Sequence, residues 1–273
     1  MPRILAFLPL LLALLPIACR SIPIPDLPPD LLCNVAERAL IEEHPQRALV
    51  YLEHALQGAR QTEAYRKNRA LQAEIYLNLA RAHRALGHPK KAEAALRHAH
   101  ELSPENRTIL FELGVLLYEG VEDYPAARAI FDRLVALDPY DAQALYYRGR
   151  IAFNQKDPHQ ALADFDSAIR LGHRDYQTYY WRAQVQHYLG RLRLAEEDYF
   201  RAIALNPTAS PPLEGMIALL VQLDDLESAI RYQRHLLRLS LISRYRQLGL
   251  SVLYLMNGDL FLGITRFLFW WGL

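Results

Sequence analysis

Residues 73–106 read AEIYLNLARAHRALGHPKKAEAALRHAHELSPEN. Apolar and small residues recur three and four apart on each side of Gly87: Tyr76, Leu79 and Ala80 before it, Ala92, Leu96 and Ala99 after it. That is the period of an α-helix, read twice. Pro89 stands where a second helix would start, a place where proline's missing N–H costs nothing. Pro104 then closes the unit. The stretch predicts two helices joined by a tight turn, each with one apolar face.

The same pattern recurs on both sides. Small residues stand at Ala48, Ala92, Ala127, Ala161, Ala195, Ala229 and Gly263, at intervals of 44, 35, 34, 34, 34 and 34. A second small series, Ala36, Ala80, Gly114, Gly149, Ala183, Ile217 and Ser251, runs ahead of it. Four residues behind the first series come Leu52, Leu96, Phe131, Phe165, Tyr199, Gln233 and Phe267, mostly bulky. Asn106, Asp141, Asp175 and Ser210 fall where first helices begin and can cap them. Pro45, Pro89 and Pro158 fall where second helices begin. One such hairpin cannot bury its apolar face alone, whereas stacked hairpins can.

With Tyr76, Leu79, Ala80, Leu86, Gly87, Ala92, Ala99 and Pro104 at the family's positions, the chain resembles the tetratricopeptide repeat family. The resemblance implies an all-α, right-handed superhelical solenoid of about seven hairpins. The units are 29–62, 73–106, 107–141, 142–175, 176–209, 210–243 and 244–273, about nine-tenths of the chain. Ten residues are inserted within Leu56–Gln72, and one more around Gly120–Asp123. Two units carry Arg in the first helix, Arg148 and Arg182, where others carry Leu79, Leu113 or Met216. Those two units also carry an acid sixteen residues on, Asp164 and Asp198, so each Arg is expected to pair across its own hairpin.

The chain has 273 residues, 52% apolar and 22% charged, with a formal net charge of +1. That composition excludes wholesale disorder, and it lacks the basic excess of a nucleic-acid binder. Cys19 and Cys33 are too few for a disulfide scaffold or an all-cysteine zinc site. There is no G-x-S-x-G, no phosphate-cradling glycine loop and no H-E-x-x-H, and the ten histidines are scattered. No metal, cofactor or catalytic residue is expected, and the chain reads as a non-enzyme.

Both ends are apolar. Residues 1–18 pair the charge of Arg3 with an uncharged run from Ile4 to Ile17, too short for a routine membrane span and fitting an export signal. Ala18 followed by Cys19 resembles a bacterial lipoprotein signal, in which that cysteine becomes the lipidated first residue; Pro16 departs from the pattern. Ordinary cleaved secretion and an uncleaved anchor stand as alternatives. Residues 19–28, with Pro23, Pro25 and Pro28, read as an extended tether. The expected location is a membrane-anchored lipoprotein facing the periplasm, or else a soluble periplasmic or secreted protein. At the other end, residues 260–273 read LFLGITRFLFWWGL, with Arg266 as their one charge. Phe261, Phe267, Phe269, Trp270 and Trp271 offer an apolar interface for a homodimer, another protein or a membrane, unless they only close the core.

In the family, first helices line a groove that grips a peptide or a helix. The residues that resemblance places there are Arg81, Phe111, Tyr118, Tyr146, Tyr147, Arg150, Asn154, Tyr180, Gln184 and His187, an aromatic set with interspersed polar groups. Asn78 alone matches the subset of the family that clamps a terminal carboxylate, so no such clamp is expected. The reading is a protein-binding scaffold of the cell envelope, or alternatively a membrane-associated assembly component that docks through its apolar C-terminal repeat.

Overall fold

The computed structural model describes residues 27–239 and 252–257, and its elements are helical throughout. The export signal, most of the tether, Cys19 and the C-terminal interface residues lie outside the described residues. The chain divides into two compact units, 1–134 and 135–273.

The first unit holds α1 (Pro29–Ile41), α2 (Pro45–Gln61), the short α3 (Glu63–Arg66), α4 (Arg69–Ala85), α5 (Pro89–Leu102), α6 (Arg107–Val115) and most of α7 (Tyr124–Leu137). The second holds α8 (Ala142–Asn154), α9 (Pro158–Arg170), α10 (Tyr176–Tyr188), α11 (Leu192–Leu205), α12 (Ser210–Gln222) and α13 (Leu226–Leu239), then a helical turn at 252–256. Second helices start at Pro45, Pro89 and Pro158, as the sequence predicts. Asn106 accepts from the N–H groups of Thr108 and Ile109, Asp141 from Gln143 and Ala144, and Asp175 from Thr178. Ser210 departs from expectation. It is the first residue of α12, whose cap is Ala209, because Pro211 and Pro212 favour the opening turn.

The small series is the packing seam. Ala48, Ala92, Ala127, Ala161, Ala195 and Ala229 are all buried. Gly114 and Gly149 lie so close to Phe131 and Phe165 that a Cβ would stand 2.8 and 3.1 Å from those rings. The turn between paired helices repeats as well. Glu43, Gly87, Glu122, Lys156, Gly190 and Asp224 all take positive φ there, at 59, 72, 61, 63, 72 and 62°.

The insertions resolve locally. The ten residues lengthen α2 to Gln61, form α3, and start α4 at Arg69, four residues ahead of Ala73. Gln72 Nε2 ties the segment down by donating to the carbonyls of Tyr65 and Arg66, at 3.1 and 2.8 Å. The single extra residue was expected in the turn at Gly120–Asp123. It lies instead in a π-helical stretch, Leu116–Val121, that continues α6. The wider turn keeps Leu116, Leu117 and Tyr118 buried while absorbing one residue.

Candidate partner-binding surface

Charge is neutralised first within hairpins. Arg148 grips Asp164 with two bonds of 2.9 and 2.7 Å. Arg182 grips Asp198 with bonds of 2.7 and 2.8 Å and reaches Asp166 at 2.7 Å. Both acids are almost fully buried. These are the pairs expected from comparing the units.

The first-helix residues sort by repeat position. Phe111, Tyr146 and Tyr180 share one position, and each ring meets the bulky residue of its own second helix. Phe111 meets Phe131 at 5.9 Å, Tyr146 meets Phe165 at 6.1 Å, and Tyr180 meets Tyr199 at 6.3 Å. Tyr146 is 4% exposed and also stacks on His173. Tyr118 is equally buried, against Tyr124. Tyr118 and Tyr146 are therefore internal packing rather than surface, because the hairpin seam needs bulk at those places.

At the next position Asn78 is buried while Glu112, Tyr147 and Trp181 are half-buried, and in two units, after Asn78 and Tyr147, an arginine three residues later reaches over to the following helix. In the first unit Arg81 Nε donates to Glu112 Oε1 at 2.7 Å, while Arg81 Nη1 donates to Asn78 Oδ1 at 3.1 Å. Asn78 in turn donates to Cys33 Sγ at 3.4 Å. Arg81, expected at the groove, is paired with Glu112 and keeps 31% of its side chain exposed. Burial pushes the Cys33 thiol up to about 11, against the pull of Asn78. In the second unit Arg150 makes the same reach with aromatic partners. Its guanidinium lies 5.5, 5.4 and 5.1 Å from the ring centres of Tyr146, Tyr147 and Trp181.

Around Arg150 the structure gathers a continuous aromatic face from α8 and α10. Phe153 meets Trp181 edge-on at 6.5 Å and Tyr188 at 5.8 Å, and Tyr180 meets Trp181 at 5.3 Å. Tyr147, Phe153, Tyr180 and Trp181 are half-buried, whereas Tyr188 is 65% exposed and Asn154 is exposed. Gln184 hydrogen-bonds Tyr180, and His187 Nε2 lies 2.7 Å from Gln222 Oε1 of α12. Of the expected groove residues, Tyr147, Arg150, Asn154, Tyr180, Gln184 and His187 thus share the first-helix faces of the second unit. Phe111 belongs to the first unit, with Arg107 over its ring. Phe153, Trp181 and Tyr188 belong with the main group; their place on the first helices, one turn beyond Arg150, next to Tyr180 and two turns beyond Tyr180, carries that signal. Among the described residues no cluster of His, Cys, Asp and Glu could hold a metal ion.

This geometry of paired helices, small seams and recurrent turns defines the class: an all-α hairpin repeat of the kind that serves as a protein–protein interaction scaffold. The tetratricopeptide repeat model matches residues 77–142, 117–172 and 148–212, and the chain is a member of the tetratricopeptide repeat family. Solved structures agree on the fold. A tetratricopeptide repeat protein from Parabacteroides merdae is 18% identical, with 89% of this chain and 92% of that one covered at a TM-score of 0.67. Pseudomonas aeruginosa pilF is 21% identical over 80% and 95% of the two chains, at a TM-score of 0.66. YrrB, described as a TPR protein with an unusual peptide-binding site, is 20% identical over 64% and 89%, at 0.54. No curated protein matches the sequence.

Proposed function

We propose that this protein is a non-catalytic scaffold of the bacterial cell envelope that holds a partner peptide or helix against the aromatic face of α8 and α10. The observation that carries the reading is the run of ring contacts from Trp181 through Phe153 to Tyr188, with the Arg150 guanidinium over Tyr147 and Trp181. Such rings give a partner large contact area while losing little rotational freedom, and Arg with aromatics is the usual make-up of interface anchors. The surrounding hydrogen bonds and edge contacts hold the rings in place before binding, which lowers the ordering cost. The partner it fits carries aromatic or aliphatic anchors beside an acidic group, with specificity set by their spacing. The peptide-binding site described for YrrB supports the same use of the fold. Residues 1–18 and Cys19 support delivery to a membrane, with lipid on Cys19 and the proline-rich tether as spacer.

Photo-crosslinking tests the surface. A benzoylphenylalanine at position 188 is expected to form a discrete adduct in cells, and the same probe at Tyr140, an exposed residue of the α7–α8 loop, is not. Trp181→Ala should abolish the adduct. Equal labelling from both positions would remove this face as the binding site.

A further inference from the structure

We propose that the face built by α13 and the turn at 252–257 binds the surface of a bilayer carrying anionic lipid. The helix α13 is divided by side. Ala229, Ile230, Gln233 and Leu236 are buried, while Arg231, Arg234 and Arg238, three and four residues apart, are exposed. Arg234 fastens the turn to the helix: its guanidinium lies 5.3 Å from the Tyr254 ring centre and donates to the Tyr254 hydroxyl. Leu253 and Tyr254 are buried in one core cluster with Ala229 and Ile230. Their neighbours Val252, Leu255 and Met256 are 45, 36 and 56% exposed. The turn thus packs on the helix, with arginines exposed on the one and apolar side chains exposed on the other.

The sequence separates this stretch from the rest of the chain. From Ser228 to Gly258 there are five arginines and no Asp or Glu, whereas Arg81, Arg148 and Arg182 elsewhere each bind an acid of the protein. Basic side chains beside exposed apolar ones suit the boundary of a bilayer, where head groups meet the charge and acyl chains the apolar tips. An acidic protein surface would answer the arginines but not the run that follows in sequence, residues 260–273, which has a single charge and the adjacent pair Trp270 and Trp271. Tryptophan is enriched where bilayer meets water. Among the described residues no helix is long and apolar enough to cross a membrane.

Sedimentation with vesicles tests this without help from the N-terminal run. The chain 20–273 keeps every described helix, since the first begins at Pro29. It is expected to pellet with vesicles of one-third phosphatidylglycerol in phosphatidylcholine, to stay in solution with pure phosphatidylcholine, and to be released by salt. Each arginine near such a surface contributes about fivefold to the partition, so R231Q/R234Q/R238Q should lower it about a hundredfold. R231Q/R238Q leaves the Arg234–Tyr254 contact in place and should lower it about 25-fold, with unchanged circular dichroism. A chain that ignores phosphatidylglycerol, or one whose binding survives both variants, would overturn the proposal and leave the face to a protein partner.

Discussion

Asp164 and Asp198 are acids placed where other units have Ala95, Ile130 or Tyr232, and each is buried against an arginine of the first helix of its own hairpin, which arrives with paired donors. The pair is a matched substitution, not a gain over apolar packing, since ion burial costs about what the pairing returns. Breaking it is another matter. Asp164→Ala should cost about 3 kcal/mol in urea unfolding, because Arg148 then keeps its largely buried place without a carboxylate. The double change Arg148→Met with Asp164→Leu should recover most of that loss. A single variant as stable as the parent would mean that Arg148 relaxes into solvent. Cys33 offers a second reading of burial. Its thiol, raised to about 11, stays protonated at pH 8.5, so iodoacetamide should label it only as the chain unfolds in urea. The sign on stability follows. The folded state holds the proton longer than the unfolded one, so this group adds nothing below about pH 9 and lowers stability as pH rises from there toward 11. Rapid labelling of the folded protein would mean that Cys33 is not shut in behind Asn78.

Within the elements, the recurrent turn shows what a fixed geometry asks of different residues. Gly87 and Gly190 take φ +72° freely, while Lys156 holds φ 63° at the same place in its unit with a Cβ against the carbonyl. Lys156→Gly should therefore raise the midpoint of thermal unfolding, by a stability gain of about 1 kcal/mol, and Gly190→Ala should lower it by a similar amount. Gly215 constrains packing rather than backbone. It occupies the repeat position of Tyr147 and Trp181, but a Cβ there would overlap the Tyr199 ring. Gly215→Ala is expected to cost about 2 kcal/mol by thermal melts, and a neutral outcome would show that Tyr199 can shift aside. The hairpins, the seams, the proline starts and the arginine–aspartate pairs were all legible in the sequence, because each is set by the 34-residue register alone. Two features were not. The π-helical stretch could not be told from a longer turn, since an extra residue leaves the same gap in the register wherever it is absorbed. The burial of Tyr118 and Tyr146 was hidden because a tyrosine suits a seam and a groove equally; only the neighbours, Tyr124 and His173, decide.

For the molecule as a whole, the two ends of the sequence make one joint prediction about its place in the cell. The proposed lipid on Cys19 and the proposed membrane face at α13 would be two separate attractions to a bilayer, one hydrophobic and one largely electrostatic. A single weak signal gives reversible attachment, while two together give stable attachment, because the second binds from a position already held at the surface. Salt distinguishes them, as it screens exposed charges but not buried acyl chains. The parent protein should therefore remain with the membrane fraction through a 1 M salt wash, where the screening length falls to about 3 Å. Cys19→Ser should stay with the membrane at low ionic strength and leave it in that wash, provided the export signal is still removed. Cys19→Ser combined with R231Q/R238Q should be soluble at either salt. Metabolic labelling with a palmitate analogue, present in the parent and absent from Cys19→Ser, ties the first attraction to that residue. If Cys19→Ser and the parent fractionate alike and neither takes up the label, the lipid anchor is wrong and the chain reaches its partner from solution or through α13 alone.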